Sequence, residues 1–221
     1  LTGLIGAGVA VAGTSLLTGC AAAAMGQGTQ PAQGSEWDMS WIGKLGRYKT
    51  AYDSPEVMSG AALGFAASAA QGYKQAMGVT DAFTPVLILR HSASVMALND
   101  AMWERMGFGE TNKLKDPTTG EANLKRNPFL TYAKGDKNSY TGAEAALNTL
   151  MAQGAIVLTC NRALTGIAYM LQKKEPATFA TPAAALVEVR RNVIPGAYVM
   201  PNGIFAVSAA QDAGCNYMRV L

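Results

Sequence analysis

Two short runs of unbroken apolar residues, 84–90 (TPVLILR) and 155–160 (AIVLTC), constrain this chain more than any other feature. A strand with one wet face alternates polar and apolar side chains. An uninterrupted apolar run of this length instead suits a strand covered on both faces, as in a parallel sheet clothed with helices. Three weaker strand candidates accompany them, at 47–54 (RYKTAYDS), 197–200 and 215–220. Helical segments fall between them. The first is expected over 55–77, with Ser54 able to cap it and Pro55 suited to its first turn. Further helices are expected over 94–105, 143–153 with Gly154 ending it, 162–173, 181–192 and 204–213. This alternation predicts an α/β domain: a mostly parallel sheet of about five strands with helices on both faces and residues 84–90 and 155–159 in its middle. Residues 107–142 show no sustained period and carry Asp116-Pro117, Gly120 and Asn127-Pro128. They are expected to form a long surface excursion of the kind that often covers a site.

The 221 residues, 49% of them hydrophobic, are enough for one good core and argue for a single domain. Eighteen basic and fifteen acidic side chains leave a net charge of only +3, with no basic run interleaved with aromatics. No nucleic-acid partner is expected. Three cysteines, Cys20, Cys160 and Cys215, match no zinc spacing, and the single histidine, His91, argues against a multi-histidine centre. No metal and no cofactor are expected.

Residues 1–17 (LTGLIGAGVAVAGTSLL) are apolar and uncharged. That is the length of a secretory h-region, and shorter than the ~20 residues a spanning helix needs. The segment Leu17-Thr18-Gly19-Cys20 resembles a bacterial lipobox, in which small residues precede a cysteine that becomes lipidated. Cys20 is therefore the expected lipid acceptor, on the periplasmic side of a bacterial membrane. Ordinary cleavage near Ala21 to Ala24 is the alternative, and would release a soluble periplasmic protein. The Gly- and Ala-rich character resembles twin-arginine signals, whose arginines would lie upstream of Leu1. Residues 25–34 (MGQGTQPAQG) suit a flexible tether. The expected organisation is a signal peptide over 1–19, anchor cysteine and tether over 20–35, and a folded domain over 36–221.

In parallel sheets, ligand sites gather at the carboxyl ends of the strands. The two clearest strands end there in Arg90-His91 and Cys160-Asn161. Cys160 directly precedes a predicted helix and lies near Arg162, and both features favour negative charge on sulfur. It is a candidate redox or persulfide site, or else a buried structural cysteine. His91 is a candidate proton carrier, or a ring that merely bonds loop backbone at a strand end. Asn99 and Asp100 can point back to this edge or face solvent, and Arg90 can hold an anion or form a structural ion pair. Asn161 and Arg162 complete the candidate binding set, while Trp103 reads as core. A Cys160–Cys215 disulfide suits an oxidising periplasm, but parallel strands would place the two at different ends.

Three segments, ILRHSASVMALNDAMWERMGFG, MAQGAIVLTCNRAL and NVIPGAYVMPNGIFAVSAAQDAGCNYM, resemble the DsrE-like family in content and order, together spanning most of 36–221. The resemblance implies a compact α/β fold related to flavodoxin-like sheets, assembly into homo-oligomers, and a sulfur-handling role. In sulfur-relay members a cysteine carries a persulfide, and Cys160 matches its position. Those members work in the cytoplasm with protein partners, whereas this chain reads as exported. Two functional classes are open to such a chain. One is a sulfur-transfer or thiol-redox factor that uses Cys160 and works with a sulfur-carrier protein. The other is a non-catalytic anchored subunit that binds a small ligand or a larger complex.

Overall fold

The computed structural model describes residues 36–121, 124–132, 136 and 142–220. The expected signal segment, Cys20 and the tether lie outside the described residues. The sheet has five strands, all parallel: β1 (Tyr48–Ser54), β2 (Phe83–Leu89), β3 (Ile156–Cys160), β4 (Tyr198–Met200) and β5 (Asn216–Arg219), in the order β4-β3-β2-β1-β5. The two apolar runs form β2 and β3, and every residue of both strands is buried. The α/β expectation from their composition holds.

Strand order explains how the helices are shared between the faces. From β1 to β4 the chain steps in one direction across the sheet, and right-handed crossovers then stack the connecting helices on one side. These are α1 (Ala61–Met77), α2 (Asp100–Met106), α3 (Phe108–Thr111), α4 (Leu147–Ala152), α5 (Asn161–Lys174) and α6 (Pro182–Arg191). Their buried side chains join Tyr52, Leu87, Leu89 and Val157 in one large core. The last connection, α7 (Gly203–Asp212), returns past β1 in the opposite direction and so crosses the other face. Small residues on α7, Ala206, Ala209 and Ala210, let it lie close on Ala51, Val86, Ile88 and Leu158, with Trp41 completing this thinner layer. β5 ends the sheet at an edge, with all four of its residues exposed.

Several local expectations change. The first helix begins at Ala61, not at Pro55: Met58 (φ 42°), Ser59 (φ 51°) and Gly60 (φ 81°) take left-handed backbone that a right-handed helix cannot propagate. Ser54 turns inward, and its hydroxyl donates to the Glu56 carbonyl at 2.8 Å. The helix expected over 94–105 divides into a 3₁₀ turn (His91–Ala97) and α2, because Leu98 bridges antiparallel to Val193 and Asn99 caps α2. The helix expected over 143–153 is likewise a 3₁₀ turn (Ala143–Ala145) preceding the shorter α4.

The segment expected as a surface excursion is pinned to the core. Buried Asn127 donates through Nδ2 to the carbonyls of Met96 and Leu98, at 2.8 and 2.7 Å. Phe129 packs edge-on against Trp103, 6.0 Å between ring centroids, and both side chains are fully buried. Trp103 is core, as expected, and its indole N–H donates to the Val95 carbonyl at 2.7 Å.

Candidate functional site

At the carboxyl edge of the sheet, the ends of β2, β3 and β4 open onto a cleft of about 660 Å³. Each strand contributes through the residues where its hydrogen-bond ladder stops. β2 delivers Arg90 and His91, β3 delivers Cys160, and β4 leads into Asn202 and Gly203. α3 and α5 form the walls.

Cys160 is both the last residue of β3 and the N-cap of α5. Its Sγ accepts the Ala163 backbone N–H at 3.4 Å, and the residue is 6% exposed where it meets the cleft. The first turn of a helix presents unpaired N–H groups and the positive end of the dipole, which favour negative charge placed there. α7 starts on the same cleft, capped by Asn202, whose Oδ1 accepts the Phe205 N–H at 2.9 Å. Two helix N-termini therefore converge where Cys160 lies.

His91 is exposed at the cleft and holds left-handed backbone (φ 48°), as the first residue of the 3₁₀ turn. Its imidazole has no hydrogen-bond partner among the described residues. Such a backbone state costs on the order of 1–3 kcal/mol for a residue with a side chain, and persists only where its surroundings impose it. The Ala93 N–H bonds to the carbonyls of both Arg90 and Pro55, and the Ser94 hydroxyl donates to the Leu89 carbonyl, which together fix this turn.

Arg90 is committed to an ion pair. Its Nε and Nη2 reach the two carboxylate oxygens of Asp53, a residue only 2% exposed, and the Tyr217 hydroxyl donates to the same carboxylate at 2.9 Å. The Asp53 hydrogen bond raises the Arg90 pKa against the opposing effect of burial, and attraction to Asp53, Tyr217 and Cys160 adds to it. Arg90 thus remains a fixed positive charge beside the cysteine. Gly203 packs directly on it, and a Cβ at that position would come within 2.4 Å of the Arg90 Cβ. Arg162, by contrast, is exposed at the cleft and has no ion pair among the described residues. Among the described residues, it is a lining cation free to meet an anionic ligand.

Three candidate binding residues lie outside the cleft. The Asn99 side chain caps α2, accepting the Met102 N–H at 3.0 Å. Asp100 accepts the Asn127 N–H at 2.8 Å and so anchors the long segment. Asn161 accepts from Arg190 Nε at 2.8 Å, tying α5 to α6. In each, a short polar side chain at a helix start is used by neighbouring structure, not by the cleft. Cys160 and Cys215 are both free thiols, and no disulfide joins them. Cys215 precedes β5 and Cys160 ends β3, so parallel strands carry them to opposite edges.

Sequence reasoning missed Thr111, Asn112, Asn202 and Gly203 as cleft residues. Asn202-Gly203 carried a signal, an Asn cap directly after a short strand. Thr111 and Asn112 carried none, since α3 falls inside a segment without periodicity. Among the described residues, no group of three or more His, Cys, Asp or Glu side chains could hold a metal ion, and no helix is long and apolar enough to cross a membrane. Comparison with family models, with curated proteins and with solved structures finds no match for the chain.

Proposed function

We propose that this protein is an exported, DsrE-like sulfur carrier in which Cys160 takes up a sulfane sulfur as a persulfide, held at the periplasmic face of a bacterial membrane through lipid on Cys20. The observation that carries this reading is the position of Cys160, a free thiol at the N-cap of α5 that opens onto a cleft lined also by His91 and the unpaired Arg162. In this reading Cys160 is the nucleophile, and His91 receives the thiol proton and returns it on release. Arg162 and the two helix N-termini hold the anionic sulfur species. Arg90 acts as a fixed positive charge, since Asp53 holds its Nε and Nη2 in place. The exposed edge strand β5 suits a second copy of the chain, in line with the homo-oligomers that the resemblance implies.

Treatment of the purified protein with inorganic polysulfide tests the reading. Intact mass should rise by one sulfur atom, and peptide mapping should place it on Cys160. Cys160→Ser should abolish the gain and Cys215→Ser should not, because burial raises the Cys215 pKa and keeps that thiol protonated. Sulfur on Cys215 alone, or on neither cysteine, overturns the proposal. The 6% exposure of Cys160 favours a second reading, an anchored subunit that binds a small anionic ligand without sulfur chemistry. Ligand binding indifferent to Cys160→Ser, without sulfur uptake, would select it.

A further inference from the structure

Polar and apolar side chains both line the cleft. Arg162, His91, Asn202 and the thiol of Cys160 gather where the strands end. Thr111 and Asn112 add polar groups beside Phe108, and apolar side chains make up much of the remaining lining. Val95, Phe108 and Ile167 are buried in the wall, at 6%, 3% and 4% exposure, whereas Met170 and Ile204 stand 51% and 63% exposed. A volume of about 660 Å³ lies within the range of small-molecule sites. A small hydrated inorganic sulfur anion would use the polar groups and leave these five apolar side chains without a partner. An anion with an apolar body would use both.

Resting on the sulfur-carrier reading, we infer that the donor is a small organic anion carrying a terminal sulfane sulfur on an apolar body of about ring size, of the thiosulfonate type R–SO2–S⁻. The anionic head lies at the helix N-termini and Arg162, and the body lies against Phe108, Ile167, Met170 and Ile204. The thiol proton of Cys160 passes to His91, and the thiolate attacks the terminal sulfur of the donor. A new S–S bond forms to Cys160 as the donor's own S–S bond breaks, and the electron pair of that bond leaves on the sulfinate, R–SO2⁻. One thiolate and one thiosulfonate give one persulfide anion and one sulfinate, so charge balances and no external oxidant or reductant takes part.

The test compares three donors that share a terminal sulfane sulfur: the benzenethiosulfonate anion, the methanethiosulfonate anion and thiosulfate. The initial rate of sulfur arrival on Cys160 is measured by mass for each, then divided by the rate with free cysteine at the same pH to remove intrinsic reactivity. Burial of a ring-sized apolar group predicts a normalised advantage of roughly tenfold or more for the benzene donor over the methane donor. Met170→Ser with Ile204→Ser, two exposed positions whose change leaves the core intact, should shrink that advantage several-fold. Equal normalised rates across the three donors overturn the inference and leave the sulfur-carrier reading standing. Sulfur uptake from none of them, with polysulfide still loading Cys160, overturns the inference alone, and failure of polysulfide as well overturns the sulfur-carrier reading. Benzenesulfonate, which has no sulfur to transfer, then decides the ligand class by calorimetry. Saturable binding weakened by Arg162→Gln supports an apolar-bodied anion, and absence of binding overturns it.

Discussion

Arg90 and Asp53 meet at the ends of neighbouring strands in a two-point ion pair, Nε to Oδ1 at 2.5 Å and Nη2 to Oδ2 at 2.9 Å, with the side chains 11% and 3% exposed. The pair joins β1 to β2 at the cleft, and through the Tyr217 hydroxyl it reaches β5 as well. Removal of one partner from such a pair leaves the other charge buried and uncompensated, which costs about 3–5 kcal/mol. Asp53→Ala should therefore lower stability by that amount in urea unfolding. Asp53→Ala combined with Arg90→Met should recover a good part of it, because no orphan charge then remains. A single variant as stable as the parent would show that Arg90 finds solvent or another partner.

Gly203 and Gly72 should respond oppositely to alanine. At Gly203 the added Cβ would come within 2.4 Å of the Arg90 Cβ, whereas at Gly72, on the exposed side of α1, nothing lies within 4 Å. Gly203→Ala should cost about 1–3 kcal/mol through overpacking and should displace α7 or Arg90. Gly72→Ala should stabilise by roughly 0.4–1 kcal/mol, because alanine has less unfolded-state entropy to lose. Thermal unfolding of the two variants side by side checks both signs.

Tyr52 makes stability depend on pH in the alkaline range. The ring is 1% exposed, and burial pushes its pKa from 10.0 up to about 12. Below pH 10.0 both folded and unfolded forms keep the phenolic proton, so this residue contributes no slope. Between pH 10.0 and about 12 the unfolded chain releases the proton while the folded chain holds it, so unfolding is favoured as pH rises. Urea midpoints measured across this window should fall with pH, and Tyr52→Phe should show a shallower fall. Identical slopes would mean that other groups account for the loss.

The lipobox-like segment ending at Cys20 predicts a mature protein that begins at that cysteine and carries lipid on it. Mass spectrometry of the native N-terminus from a bacterial host decides the matter. An unmodified start at Ala21 or beyond would exclude the anchor.

The placement of the cleft is legible in the sequence. An unbroken apolar run reports burial on both faces, two such runs separated by helices report parallel strands, and parallel strands end on one edge. Arg90, His91 and Cys160 therefore had to emerge together, and Cys215, which precedes its strand, had to lie at the opposite edge. Of the left-handed residues before α1, Gly60 carries a local signal, but Met58 and Ser59 do not, because neither side chain resists helix. Their conformation is imposed by the packing of the loop.

From sequence alone came the burial of β2 and β3, the α/β class and the edge at which the cleft opens. Each is set by the hydrophobic period of a short segment, which is a local property. Tertiary structure alone decided which polar side chains serve the cleft. Asn99, Asp100 and Asn161 lie near the strand ends in sequence, much as Arg162 does, yet each is taken by a partner outside the cleft: an α2 N–H, the backbone of Asn127 and the guanidinium of Arg190. Asn202 and Gly203 enter it only because β4 lies beside β3. Strand order and side-chain partners depend on contacts between residues far apart in the chain, and those energies leave no mark on the pattern of either segment alone.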